Sequence, residues 1–121
     1  MLIIGRRGMT LFFRIFIKIF LTLIILAGCA TTEEIKETDP IALFKQGTAL
    51  LYLEGQVDRS IRYFNKAIEI DPNYASAYIN RGFAYEIKSQ HYKACSDYKR
   101  ACQLSGVCGA MNRAKAQGWC E

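Results

Sequence analysis

The chain has 121 residues, 51% of them hydrophobic, and a formal net charge of +5, so it has room for one small folded domain. The positive charge is concentrated at one end, because four basic residues and no acidic residue precede Cys29, and the rest of the chain holds 12 basic and 11 acidic side chains. A near-neutral body without basic clusters excludes the phosphate neutralisation that dominates nucleic-acid binding.

Residues 1–28 predict an export signal. Residues 15–27 are apolar apart from Lys18 and Thr22, basic residues precede them, and small residues follow. Met1 and Met9 are both possible starts, since either leaves a complete signal. The alternative is an uncleaved membrane helix, but Arg14 and Lys18 reduce the fully apolar stretch to well below the roughly 20 residues that span a bilayer.

The sequence Leu26-Ala27-Gly28-Cys29 resembles the lipobox of bacterial lipoproteins. This resemblance implies cleavage before Cys29, a diacylglycerol on its sulfur, and a lipid-anchored protein of the bacterial cell envelope. Two or three acyl chains hold a protein stably at a bilayer. Ala30 stands in place of the aspartate that retains enteric relatives in the inner membrane, which favours the periplasmic face of the outer membrane.

Residues 29–39 predict a lipidated tether, because Ile35 is their one large aliphatic side chain and they cannot bury a face. The folded domain is then 40–121. Asp39 can accept amide hydrogens of a first helical turn and Pro40 suits the first helical position, so a helix is expected to begin there.

Helical patterns fill the rest of the chain. We expect helices over 40–54, 57–70, 75–88 and 91–104, and a shorter helix within a terminal cap, 109–121. Gly55 can take the left-handed conformation that ends a helix, and Asp71-Pro72-Asn73 stops the second helix. The fold class is therefore all-α.

A step of 34 residues superposes 41–74 on 75–108. Large, small and aromatic residues recur in the same order in the two segments. The first segment has Phe44, Thr48, Leu51, Ser60, Phe64, Ala67 and Ile70, and the corresponding residues of the second are Tyr78, Gly82, Tyr85, Ala94, Tyr98, Ala101 and Leu104. This order, with Pro72 after the second helix, resembles the tetratricopeptide repeat. The resemblance implies two helical hairpins in a right-handed solenoid fragment, closed by the cap. Gly47 and Arg81 replace a preferred leucine, so we expect looser packing there.

Close packing explains the pattern. Ser60 and Ala94 let the two helices of a hairpin approach each other, and Phe64 and Tyr98 fill the remaining space. We therefore interpret the aromatic residues as scaffold.

The resemblance also implies a concave surface formed by the first helix of each hairpin. Its residues in this sequence are mostly apolar: Lys45, Ala49, Tyr52, Leu53, Ile79, Phe83, Glu86 and Ile87. In the family such a surface receives a peptide or helix of a partner protein, so we expect a membrane-tethered interaction module. The alternative is a self-associating structural component of the envelope without a foreign ligand.

Four cysteines other than Cys29 predict disulfides in an exported chain: Cys95, Cys102, Cys108 and Cys120. Cys95 and Cys102 are about 10.5 Å apart along one helix and cannot pair with each other. If the cap folds back antiparallel on the fourth helix, the pairs are Cys95 with Cys120 and Cys102 with Cys108. A Cys102–Cys120 bond would place the cap in another direction.

The sequence contains no Cys-x-x-Cys motif and one histidine, His91, which we interpret as a surface or turn residue. We expect no metal and no cofactor, although four cysteines could in principle bind zinc. The carboxylates are scattered over predicted solvent faces and no nucleophile–base pair or phosphate loop is present, so we do not expect an enzyme.

Overall fold

The computed structural model describes residues 13–20 and 35–121. Residues 35–121 fold as a unit of their own that contains five helices: α1 (Pro40–Tyr52), α2 (Val57–Ile70), α3 (Ala75–Ile87), α4 (His91–Ser105) and α5 (Gly109–Ala116). The all-α prediction is confirmed. Residues 13–20 of the predicted signal are helical, whereas both candidate starts, the lipobox and Cys29 lie outside the described residues. Within the described ranges no helix has the length and apolarity that crossing a membrane requires.

The first hairpin begins as predicted. The Asp39 carboxylate accepts the Ile41 amide hydrogen at 3.0 Å, with Pro40 in the first helical position. Gly55 adopts the left-handed conformation (φ 64°), and the next amide, of Gln56, donates to the Leu50 carbonyl. Helix α1 therefore ends earlier than the predicted 40–54, because the closing turn takes up its last residues.

The link between the hairpins also follows the prediction. Helix α2 ends at Ile70 because Asp71, which precedes Pro72, is extended (φ −125°, ψ 93°). The Asp71 side chain accepts the Asn73 amide hydrogen at 3.0 Å, and its carbonyl accepts from the amide of Tyr74. This turn reverses the chain so that α3 packs on α2.

Two apolar clusters join the hairpins. Both include residues of α1, α2 and α3: one contains Leu43, Leu50, Tyr63, Ala67 and Ala77, and the other Leu51, Ile61, Phe64 and Ala84. Ser60 and Ala94 are fully buried, as close approach of the paired helices requires. A third cluster, around Ala94, Tyr98 and Ala114, places α5 against α4.

Packing at Gly47 is tight, which contradicts the expectation of looseness. A Cβ atom there would lie 2.8 Å from a ring carbon of the buried Phe64 and 3.1 Å from the Cβ of Tyr63. In the second hairpin the corresponding close approach is at Gly82, against the Tyr98 ring. The close contact of the first hairpin is therefore made by Gly47, while the Thr48 hydroxyl donates to the Phe44 carbonyl at 2.8 Å.

Arg81 also corrects the expectation of looser packing. Its guanidinium donates to both carboxylate oxygens of the buried Asp97, at 2.7 and 2.8 Å, and to the Asn65 amide oxygen at 2.8 Å. Burial by itself lowers the pKa of Arg81, but the hydrogen bonds and charge of Asp97 raise it above its usual range. The guanidinium also lies 5.4 Å from the Tyr78 ring centroid. A bidentate ion pair thus replaces leucine packing between α3 and α4.

The domain begins before the predicted boundary at residue 40. Ile35, assigned to the tether, packs on the Leu43 and Leu50 cluster of the first hairpin. This contact places the end of the predicted tether against α1 and α2.

Candidate functional site

The predicted concave surface lies on two helices. Lys45, Ala49 and Tyr52 belong to α1, Leu53 is its C-cap, and Ile79, Phe83, Glu86 and Ile87 belong to α3. Three apolar members are largely exposed: Leu53 by 83%, Tyr52 by 54% and Ile87 by 50%. Lys45 is exposed, and the other four members are partly buried. The structure therefore places several large apolar side chains in contact with solvent on neighbouring helices.

Contacts between α1 and α3 hold this surface together. The rings of Tyr52 and Phe83 stack with centroids 5.6 Å apart and planes 13° apart. One turn away, the Asn80 amide donates to the Thr48 hydroxyl at 3.0 Å. Burial raises the pKa of Tyr52, and the positive charge of Arg113 opposes that change. The two aromatic side chains are therefore held in place by their contact with each other.

Glu86, one of the predicted surface residues, is engaged in contacts within the domain. Its carboxylate accepts the Tyr98 hydroxyl hydrogen at 2.6 Å and an Arg113 guanidinium hydrogen at 3.1 Å. Burial raises the pKa of Tyr98 far above its usual value, and the hydrogen bond and charge of Glu86 raise it further. Glu86 thus ties α3 to α4 and α5.

Arg113 is a member of this surface that sequence reasoning missed. Arg113 lies 34 residues after Ile79, and α5 begins 34 residues after the start of α3. Helix α5 therefore occupies the position of the first helix of a third repeat. Ala114, which is fully buried, corresponds in the same way to Asn80. The repeat step, continued once more beyond residue 108, would have identified Arg113 from the sequence.

The cysteines meet in the pairs expected for an antiparallel cap. Cys95 and Cys120 have Cα atoms 5.5 Å apart, and those of Cys102 and Cys108 are 4.5 Å apart, with both pairs at disulfide distance. His91, interpreted as a surface or turn residue, instead stacks on Trp119, with ring centroids 4.2 Å apart. This contact holds the end of the chain beside the start of α4.

Within residues 13–20 and 35–121, no three histidine, cysteine or acidic side chains come together in a way that could hold a metal ion. The four cysteines of that part of the chain are used in the two pairs. The arrangement offers exposed apolar side chains on α1 and α3, which are suited to contact with the apolar side chains of another polypeptide.

These features define the class: an all-α domain built from repeated helical hairpins, with exposed apolar side chains on α1 and α3. Two family models match the chain, one for the TPR repeat over residues 49–89 and one for the tetratricopeptide repeat over residues 75–108. Residues 49–108 therefore carry tetratricopeptide repeats, and both models describe repeats rather than an enzyme.

Several known proteins are similar to part of this chain. The chain is similar to rice (Oryza sativa subsp. japonica) DnaJ protein P58IPK homolog B, 27% identical over 85 residues, which cover 70% of this chain and 18% of the rice protein. It is also similar to Caenorhabditis elegans tetratricopeptide repeat protein 36, 39% identical over 67 residues, 54% of this chain and 36% of that protein. The uncharacterized protein MJ0572 of Methanocaldococcus jannaschii is 39% identical over 54 residues, 45% of this chain and 57% of that protein. The chain thus spans less than two thirds of each of these relatives.

Proposed function

We propose that this chain is a lipid-tethered protein–protein interaction module of the bacterial cell envelope, and that its concave surface binds an amphipathic helix or extended peptide of a partner. Tetratricopeptide repeats serve protein interaction, which supports the class of function. The observation that carries the proposed site is the exposure of Tyr52, Leu53 and Ile87 on adjoining helices, because large apolar side chains grouped in this way mark interaction surfaces.

The partner's chemistry follows from this surface. Apolar side chains of the partner would pack on the stacked Tyr52–Phe83 pair and on Leu53 and Ile87. Lys45, which is exposed on α1, would contact polar or acidic groups of the partner. A helix with apolar residues three and four positions apart presents such a stripe, and alternate side chains of an extended peptide do so as well.

The proposed tether depends on the lipobox resemblance at residues 26–29. Acylation of Cys29 would hold the module at a membrane, and Ala30 favours the outer membrane. A palmitate analogue fed to bacteria that express the chain should label it and should not label Cys29→Ser. If the wild-type chain remains unlabelled, the tether is refuted while the interaction surface stays open to its own test.

Site-specific photocrosslinking in intact bacteria tests the surface. A photoreactive residue at Ile87 should form a discrete adduct with another protein, whereas one at Tyr92, which is 86% exposed on α4, should not. Leu53→Lys should abolish the Ile87 adduct, since it places a charge within the apolar contact. Equal adducts at Ile87 and Tyr92 would contradict the proposed site.

The same experiment separates the second candidate function. An adduct of Ile87 with another copy of this chain, together with a dimer of the purified chain on sizing, would favour a self-associating envelope component. An adduct with a different protein and a monomeric purified chain would favour the interaction module.

A further inference from the structure

Helix α5 is attached to the domain in a different way from the other helices. It has eight residues, whereas an isolated helix needs about 12–15 residues to be even marginally stable in water. One of its residues, Ala114, is buried. Ala110 and Met111 pack against the Ala94 and Tyr98 cluster and remain partly exposed. Its own packing therefore gives it little hold on α4.

Covalent bonds supply the attachment at both ends of α5. Cys108 immediately precedes the helix and is paired with Cys102 of α4, and Cys120 follows it and is paired with Cys95 of α4. The bonds connect the two ends of one short helix to two different turns of its neighbour.

Helix α5 also contributes to the concave surface. The Arg113 guanidinium donates to Glu86 of α3 at 3.1 Å, and it lies 5.9 Å from the centre of the Tyr98 ring. Its charge acts on Tyr52 of α1 as well. The position of Arg113 beside the surface therefore depends on how α5 is held.

All four paired cysteines are partly exposed to solvent. A cavity of about 260 Å³ opens between α4 and α5, and three of the four paired cysteines line it: Cys95, Cys102 and Cys120. Lys99 and Lys115 line the same cavity. Ammonium groups next to a disulfide stabilise the thiolate that leaves when the bond is attacked.

We infer that α5 is a redox-controlled cap. With both disulfides formed it is docked and Arg113 completes the concave surface. A dithiol of a thiol–disulfide exchange protein attacks one sulfur of the Cys95–Cys120 bond, forms a mixed disulfide, and then closes its own disulfide. Two electrons and two protons pass to the chain, which leaves two thiols, and the dithiol is oxidised. Reduction of the Cys102–Cys108 bond proceeds in the same way. The freed α5 unwinds and withdraws Arg113 from Glu86.

Hydrogen exchange of the full chain in detergent micelles, before and after reduction with dithiothreitol, tests this cap. Upon reduction the amides of α5 should lose about 100-fold or more of their protection, while those of α1 to α4 keep theirs. Trp119 provides a second reading, because its fluorescence should shift to longer wavelength as it leaves His91.

Matched double variants assign the effect to one bond. Cys95→Ser with Cys120→Ser should release α5 without a reductant, since the bond after the helix is the one that closes the longer loop. Cys102→Ser with Cys108→Ser should keep α5 protected until dithiothreitol is added. Unchanged protection of α5 in the reduced wild type would overturn the inference, and so would loss of protection throughout α1 to α4, which would make the bonds general stabilisers of the fold.

The consequence for partner binding rests on the proposed function, and its test is separate. The photocrosslinked adduct at Ile87 should become weaker in the Cys95→Ser, Cys120→Ser chain than in wild type. Release of α5 with an unchanged adduct would overturn the regulation of binding but not the interaction module. Absence of any adduct in the wild type would instead refute the proposed function and leave the exchange result intact.

Discussion

Replacement of Gly82 by alanine tests the close approach on which the second hairpin depends. Gly82 lies within α3, and a Cβ atom there would be 2.6 Å from Cε1 and 2.9 Å from Cδ1 of the Tyr98 ring. The ring cannot move away easily, because it is 1% exposed and its hydroxyl is bound to Glu86 at 2.6 Å. The added methyl group must therefore displace α3 from α4.

Two opposing effects set the magnitude of this change. Alanine is favoured over glycine in a helix interior by about 1 kcal/mol, and overpacking of a filled core costs about 1–3 kcal/mol. Because the contact is shorter than any normal carbon–carbon separation, we place the cost at the upper end and expect a net loss of about 1–2 kcal/mol in the free energy of unfolding. For a domain of this size that corresponds to a fall in Tm of about 5–15 °C.

The assay is thermal unfolding of the oxidised chain followed by circular dichroism, with Gly109→Ala as control. A Cβ at Gly109 meets no atom within 4 Å, so the same chemical change there should leave Tm unchanged or raise it slightly. If Gly82→Ala has a Tm equal to or above that of Gly109→Ala, the packing described for Gly82 and Tyr98 is wrong.

Three further predictions concern the same helices. Ala94→Leu should lower Tm by several degrees, because Ala94 is fully buried against Tyr98 and has no space for a larger side chain; an unchanged melting curve would contradict this packing. Arg81→Leu should lower the free energy of unfolding, measured in urea, by about 3–5 kcal/mol because it leaves the buried Asp97 carboxylate unpaired. This loss is expected even though leucine is the residue that the family prefers. Adding Asp97→Asn to the same chain should recover much of the lost free energy. The pKa of Tyr98 is raised in the folded state, so its stabilising contribution is fully present below its unfolded pKa of 10.0 and is lost as the pH rises above that value. When the pH is raised from 9 to about 11.5, the urea midpoint of the wild type should therefore decrease by more than the urea midpoint of Tyr98→Phe. Equal decreases in the two proteins would contradict this pKa shift.

The start of α1, its closing turn and the end of α2 were predictable from the sequence because each has a local chemical cause. Asp39 and Pro40 start α1, Gly55 supplies the left-handed turn, and Asp71 with Pro72 ends α2 at the predicted residue. The 34-residue step predicted the hairpins because residues at equivalent positions of a repeat have equivalent surroundings.

Contacts between distant residues were harder to predict. We expected loose packing at Arg81 because its two partners are distant in the sequence. Asp97, with which it forms an ion pair, lies 16 residues later, and Asn65, to which it donates a hydrogen bond, lies 16 residues earlier. Gly47 was misread because the repeat alignment assigns the small position to Thr48, one residue later. Arg113 was missed because α5 was treated as a terminal cap rather than as a continuation of the repeat.

The most direct measurement of the central claim is hydroxyl-radical footprinting of the concave surface in intact bacteria and on the purified chain. Tyr52, Leu53 and Phe83 should be oxidised more slowly in the cell than in the purified monomer, because a partner covers them, while oxidation of Tyr92 on α4 should be the same in both. Equal oxidation of the three concave residues in the two settings would contradict the account.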